Sequence, residues 1–194
     1  MDFQLQQLKN FITAVQPIPE EEWLPFAKLW KPISAKRKVT LTGAGEPERY
    51  LYFVLSGVQR VYYQDLQGRE ATLVFTYAPS FGGVLDAMLE QRNATYFYET
   101  LSQSAFLRAP YADILRLQHS SAAINTFIHQ SLIVTISGLL KRMVELQCFS
   151  SEEKFRALLS RSPHILQQVP HKYLANYLGI DPTNFSKFIN KLSI

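Results

Sequence analysis

Hydrophobic residues recur at helical spacing near the start of the chain, over residues 2–15 and again over residues 19–29. From residue 30 to residue 107 the pattern changes to short runs rich in Val, Tyr, Phe and Thr, with turn signals about every ten residues. Such runs predict a β sandwich or a jelly-roll barrel. We expect the barrel to end at Pro110, with a short helix after it.

A much longer helical pattern runs from about Ser120 to Gln147. A helix of that length, roughly 42 Å, is apolar over two flanks. We interpret one flank as packing on the β domain and the other as packing on a second copy of the chain, in a parallel dimer. The predicted dimer interface consists of apolar residues at intervals of three and four, namely Ile124, Phe127, Ile128, Leu132, Ile136, Leu139 and Met143.

This helix has two alternative interpretations, of which one stays open. A membrane span fits the absence of charge between Arg116 and Lys141, but the many Ser, Asn, Thr, His and Gln residues make the stretch too polar for a bilayer core, so no membrane partner is expected. The second alternative is a helix buried wholly within its own monomer.

Residues 169–192 predict a helix-turn-helix. Gly179 suits the turn, Asp181 suits an N-cap, and Pro182 suits the first helical position, where a missing N–H has no cost. The second helix presents side chains that can bond base edges or phosphates in a major groove: Pro182, Thr183, Asn184, Ser186, Lys187 and Asn190. His171, Lys172 and Lys191 are better suited to phosphates. An ordinary helical hairpin is the alternative interpretation.

Charge and composition indicate where the basic residues concentrate and in which compartment the protein is expected. The formal net charge is +4, and residues 151–194 hold six Lys/Arg against three Asp/Glu. The basic excess therefore lies with the helix-turn-helix, as attraction to phosphate requires. A single cysteine, Cys148, excludes an internal disulfide framework. The residues after Met1 lack the pattern of a signal peptide, so we expect a cytoplasmic protein.

The order of these parts resembles the Crp/Fnr family of bacterial transcription regulators. The strongest local elements are the stretch from Tyr50 to Gly83, which is similar to a cyclic-nucleotide-binding barrel, and residues 150–192, which are similar to the family's C-terminal module. The resemblance implies an α+β fold with three parts. These are a double-stranded β-helix (jelly-roll) domain with N-terminal helices over 1–118, a dimerisation helix over 119–148, and a helix-turn-helix domain without a complete wing over 149–194.

The resemblance also implies an effector pocket, but this sequence departs from the family's phosphate-binding residues. Gly83 stands where the nucleotide-binding members have a Glu, and Asn93 or Ala94 stands where they have an Arg; only Arg92 is near. A displaced cation would miss a bidentate anion site. We therefore expect a degenerate pocket with no cofactor, and a cyclic nucleotide as a disfavoured effector. The implied pocket residues are Phe81, Gly82, Gly83, Val84, Arg92, Asn93, Ala94, Thr95, Leu139 and Leu140.

These features favour a dimeric, sequence-specific DNA-binding regulator and give no case for an enzyme. The four histidines lack metal-ligand spacing, so no metal site is expected. The partners implied by the resemblance are double-stranded DNA, a second copy of the chain, a small-molecule effector and RNA polymerase. The alternative, from another class, is a ligand-sensing or protein-interaction module that no longer binds DNA.

Overall fold

The computed structural model describes residues 2–191. Met1, in the predicted domain 1–118, and residues 192–194, in the predicted domain 149–194, lie outside the described residues. The two predicted N-terminal helices are present as α1 (Asp2–Thr13) and α2 (Glu20–Leu29). Ile12 and Phe26 are buried in an apolar cluster that also contains residues of the β domain.

Two antiparallel four-stranded sheets form the β domain, as the alternation of short apolar runs predicted. The strands are β1 (Lys31–Ala35), β2 (Thr40–Thr42), β3 (Tyr50–Ser56), β4 (Val58–Gln64), β5 (Glu70–Tyr77), β6 (Ser80–Gly82), β7 (Phe97–Thr100) and β8 (Ser104–Pro110). One sheet has the order β1-β8-β3-β6 and the other has the order β2-β7-β4-β5. Strand β5 therefore lies at an open edge of its sheet.

Aromatic side chains and a small polar network fill the space between the sheets. Tyr98 and Phe106 both pack on Tyr52, with ring centroids 5.6 Å away in each case. The Thr76 hydroxyl donates to Gln59 Oε1 at 2.9 Å and lies 3.1 Å from the Tyr98 hydroxyl. Because these buried polar groups bond to one another, they can remain in the interior without water.

Helices connect the barrel to the C-terminal domain and build that domain. Their bounds are α3 (Leu85–Glu90), α4 (Tyr111–Ser120), α5 (Ala122–Cys148), α6 (Ser151–Arg161), α7 (Ile165–Gln168), α8 (His171–Leu178) and α9 (Pro182–Lys191). Helix α6 begins with a capping box in which the side chains of Ser150 and Glu153 bond reciprocally to the backbone. Helices α8 and α9 are the predicted helix-turn-helix.

One face of α5 serves both domains. Ile124 and Phe127 are buried in the β-domain cluster, and Arg142 and Glu145 are buried near the other end of the helix. At 3.6 residues per turn, both pairs lie on the same face. The helix is long and apolar enough to cross a membrane by length and composition alone, but these contacts hold both of its ends against folded domains.

The dimer-interface prediction is wrong for the first part of α5. Ile124 and Phe127 are in the core of their own β domain, and Ile128 packs against that core. Periodicity identified these residues as apolar but could not identify which partner covers them. The apolar residues that follow at heptad spacing lie about 110° around the helix from this face; they are Leu132, Ile136, Leu139, Met143 and Leu146. We call this row the α5 seam, and all of it except the half-buried Leu132 is exposed.

Candidate nucleic-acid interface and ligand pocket

Gly179 and Asp181 shape the turn between α8 and α9. Gly179 ends α8 in the left-handed conformation, with φ 60°, which side-chain-bearing residues rarely adopt. Asp181 Oδ1 accepts hydrogen bonds from the Thr183 N–H at 2.9 Å and the Asn184 N–H at 3.3 Å. Pro182 is the first residue of α9. The predicted capping of the second helix is therefore confirmed.

Phe185 fixes which face of α9 is free. Its side chain is buried and meets the Phe155 ring edge-on at 5.3 Å. Leu174 and Leu178 of α8 are buried in the same cluster. The opposite face of α9 is consequently turned to solvent, and its exposed residues are Pro182, Thr183, Asn184, Ser186, Lys187, Asn190 and Lys191.

Two of these residues, Thr183 and Lys187, lie one helical turn apart on the exposed face. Both side chains are therefore presented on the same side of α9. The Ser186 hydroxyl instead donates to the Pro182 carbonyl at 3.0 Å. The donor hydrogen of Ser186 is thus already used within the helix, which leaves this hydroxyl only as an acceptor.

The start of α8 carries basic residues at an uncapped helix end. Pro170 occupies the N-cap position and makes no side-chain hydrogen bond there. His171 and Lys172 are exposed at the first two helical positions. Positive charge is unfavourable at the positive end of a helix dipole, and an anion at that end removes the penalty. A DNA phosphate has the required charge and acceptor oxygens.

Asn176 joins α8 to the open edge of β5. Its Oδ1 accepts a hydrogen bond from the Thr72 N–H at 2.6 Å, and its Nδ2 donates to the Glu70 carbonyl at 2.7 Å. Edge strands leave such backbone groups unpaired. The side-chain amide of Asn176 therefore replaces the peptide group of a neighbouring strand.

Arg60 reinforces this contact from the sheet side. Its guanidinium lies between two rings, 3.8 Å from the Tyr62 centroid and 4.0 Å from the Tyr173 centroid on α8. It forms ion pairs with Glu70 at 2.6 Å and Glu99 at 2.7 Å. Burial lowers the pKa of Arg60, but hydrogen bonds to the two carboxylates outweigh it and the pKa is raised. The buried charge is thus retained and compensated.

Helix α5 holds the other side of α8. Arg142 donates to the Tyr177 carbonyl, and its guanidinium lies 4.0 Å from the centroid of the Tyr177 ring. Arg161 binds Glu145 through both guanidinium amino groups. Burial lowers the pKa of Arg142. Helix α8 is therefore fixed against both the β domain and α5, and α9 packs on α8 in one apolar cluster.

Protein side chains occupy the interior beside the predicted effector pocket. A Cβ on Gly82 would lie 2.1 Å from the Tyr98 hydroxyl oxygen, so only glycine fits at this position. Val84 and Ala94 are buried in the same cluster as Tyr98. Burial raises the pKa of Tyr98, so its hydroxyl stays neutral. The small residues at the predicted pocket make room for this tyrosine.

The buried side chain of Glu48 lies beside Gly83, the position at which nucleotide-binding members of the resembled family have a Glu. A Cβ on Gly83 would lie 3.4 Å from Glu48 Oε2. That oxygen accepts from the Val84 N–H at 3.0 Å and from the Thr42 hydroxyl at 2.8 Å, and Oε1 accepts from the Tyr50 N–H at 3.3 Å. Burial raises the pKa of Glu48 above the ordinary range of a glutamate. The Glu48 carboxyl group thus accepts the hydrogen bond of the Val84 N–H, the backbone donor at the start of α3.

Arg92, the cation nearest the predicted phosphate position, is exposed and already paired. It forms ion pairs with Asp86 at 2.7 Å and Glu90 at 2.5 Å. Its Nη1 also donates to the Thr95 hydroxyl at 3.3 Å. Asn93 is exposed beside it. Since its guanidinium is held outside the barrel by two carboxylates, Arg92 is not oriented toward an anion in the interior.

The predicted pocket residues do not converge on one cavity. Phe81 packs in a different cluster, with Phe11 at 5.6 Å and Phe127 at 5.8 Å between ring centroids. Leu139 and Leu140 are about half exposed on α5 and belong to neither cluster. The structure therefore does not bring these three residues together with Val84 and Ala94, because Phe81 packs in the other cluster and only the first turns of α5 pack on the barrel.

Three functional candidates were missed in the sequence. Glu48 lies in a turn segment and Tyr98 in an aromatic run typical of a buried strand, so neither position marks a functional side chain in the sequence. Asn176 sits at an ordinary solvent-facing position of α8. The signal for Glu48 and Tyr98 was the run of small residues at Gly82 and Gly83, which need large neighbours to fill their space.

The β domain has the sequence pattern of a known domain family. Residues 32–121 match the family model of the cyclic nucleotide-binding domain. No curated protein sequence matches the chain.

Solved structures with the same fold cover most of the chain. FixK2 from Bradyrhizobium japonicum has a TM-score of 0.77 at 14% identity, with 84% of each chain covered. A protein from Eubacterium rectale described as a transcriptional regulator of the Crp/Fnr family has a TM-score of 0.70 at 14% identity, covering 91% of this chain and 84% of that one. The catabolite activator protein of Thermus thermophilus has a TM-score of 0.55 at 20% identity, covering 91% and 84%. The chain therefore has the fold of the Crp/Fnr regulators, and the resemblance inferred from its sequence is confirmed for the fold.

Proposed function

We propose that the protein is a homodimeric, sequence-specific DNA-binding transcription regulator of the cytoplasm. Two copies associate through the α5 seam, and each α9 reads one half-site in the major groove. The observation that carries the proposal is the free polar face of α9, with Thr183 and Lys187 exposed on a helix whose cap and buried anchor are intact. RNA polymerase is the partner expected of a regulator bound beside a promoter.

The β domain acts in this proposal without binding a cyclic nucleotide in the family's conventional way. A cyclic phosphate needs free N–H donors and a fixed cation. Here Glu48 already takes the Val84 N–H, and Arg92 is paired outside the barrel. Any effector must therefore differ from a cyclic nucleotide in its contacts, and it acts only if its affinity differs between two arrangements of the dimer.

Two single substitutions separate reading from positioning. Lys187→Ala removes a base-contacting cation, so it should cost about 1–3 kcal/mol on the preferred duplex and relax specificity at one base pair. Lys172→Ala removes a phosphate contact, so it should weaken all duplexes alike and lower the salt slope by about one. Fluorescence anisotropy over a range of salt concentrations measures both effects.

The control is Lys154→Ala, which makes the same change of charge at a half-buried lysine of α6 and should leave both quantities unchanged. Equal loss from Lys187→Ala on every duplex would contradict base reading by α9. A protein that binds no duplex at low salt, where the electrostatic attraction is largest, would instead be the interaction module that does not bind DNA.

A further inference from the structure

The turn between β1 and β2 contains three consecutive basic residues, Lys36, Arg37 and Lys38. All three are exposed. None of them forms an ion pair with any side chain that the structure describes. The turn thus concentrates a charge of +3, on a chain whose whole formal charge is +4.

Thr100, at the end of β7, holds this turn in one conformation. The Thr100 hydroxyl donates to the Lys36 carbonyl at 2.6 Å, and the Lys38 N–H donates to the Thr100 carbonyl at 2.8 Å. Thr100 itself is fully buried. Lys38 has φ 60°, a conformation that a lysine adopts only when its surroundings impose it. A fixed backbone lowers the entropy cost of presenting the charges to a partner.

The turn lies next to the helix-turn-helix. Arg37 lines the same cleft as Pro170 and His171, at the start of α8. Helix α8 is in turn fixed to β5 by Asn176 and to α5 by Arg142. The basic turn and the basic start of α8 therefore form one continuous surface on a rigid frame, although they are more than 130 residues apart in sequence.

We propose that the Lys36–Lys38 turn binds phosphates of the DNA that flanks each half-site. The inference rests on the proposed function, in which α9 enters the major groove and α8 crosses the phosphate backbone. Because the turn belongs to the β domain and shares a cleft with the start of α8, it meets phosphates outside the base pairs that α9 reads. The sensor domain is then part of the DNA interface, and it contributes affinity without sequence information.

The test compares two double variants with the same loss of charge. Lys36→Ala/Arg37→Ala removes two cations of the turn, and Lys38 is retained so that the residue in the left-handed conformation is not changed. The control is Lys28→Ala/Lys31→Ala, whose residues are exposed near the opposite end of β1. Each variant is titrated against the duplex that the protein selects, once trimmed to the two half-sites and once with about one helical turn of flank on each side.

The turn variant should lower the slope of log affinity against log salt by about 1.8 per protomer on the flanked duplex. It should match the wild-type protein on the trimmed duplex, and the control should match it on both. Lys36→Gln/Arg37→Gln, which keeps long uncharged side chains, should reproduce the result and exclude an effect of misfolding.

Two results would overturn the inference. If the turn variant binds the flanked duplex with the wild-type slope, or loses the same affinity on both duplexes, the turn does not contact flanking phosphates, while the proposed function stands. If the wild-type protein binds no duplex, the inference and the proposed function both fall.

Discussion

Truncation of one residue in the α5 seam should weaken the dimer by an amount that the structure sets. Leu139 is 47% exposed in the monomer. Full burial of a leucine side chain contributes about 1.5–3 kcal/mol, so covering the exposed half contributes about 0.7–1.4 kcal/mol per copy. A symmetric dimer contains the residue twice. Leu139→Ala should therefore raise the dimer dissociation constant about 10-fold to 100-fold.

Leu24 provides a matched control for this prediction, because it is a leucine of similar exposure, 53%, on helix α2. Leu24→Ala removes the same atoms from a surface outside the seam and should leave the dissociation constant unchanged. Sedimentation equilibrium over a wide concentration range measures the constants, and Leu139→Asp should give a monomer because it would bury an unpaired charge. A wild-type monomer at tens of micromolar, or equal effects of the two alanine variants, would refute the assignment of the seam.

Three further predictions concern the barrel and its contact with α8. The pKa of Glu48 is raised, so the stabilising contribution of this residue is present below the ordinary glutamate pKa and is lost as pH rises through the raised value. The Glu48→Gln variant should therefore lose less free energy of unfolding with rising pH than the wild-type protein. Urea unfolding at a series of pH values measures this difference, and equal losses would contradict the prediction. Asn176→Ala removes two hydrogen bonds to β5, so amide exchange of Thr72 should become faster, whereas Asn190→Ala on the free face of α9 should not change it. Calorimetric titration with cAMP or cGMP should detect no micromolar binding, and binding at that strength would contradict the account of the pocket.

Most of the architecture followed from local patterns. The β domain was predictable because turn residues and period-two runs report directly on strands, and the helix-turn-helix because Gly179, Asp181 and Pro182 each have a conformational reason for their position. These signals depend only on residues a few positions apart, so they can be recognised directly in the sequence.

The packing partners of the apolar residues of α5, and the long-range contacts of Glu48 and Asn176, were not predictable in the same way. Periodicity marks Ile124 and Leu139 alike as apolar, but only the three-dimensional packing assigns the first to the core and leaves the second exposed. Likewise, Glu48 and Asn176 act on backbone groups about 36 and 104 residues away. A polar residue in a loop or on a helix surface carries no local mark of such a partner.

Selection from a random duplex library tests the central claim, a dimeric reader of DNA sequence, most directly. The account predicts enrichment of two related half-sites in inverted orientation, with centres about one helical turn apart, and loss of that enrichment in the Thr183→Ala/Lys187→Ala variant. Enrichment of no sequence, together with no retardation of any duplex at low salt, would contradict it.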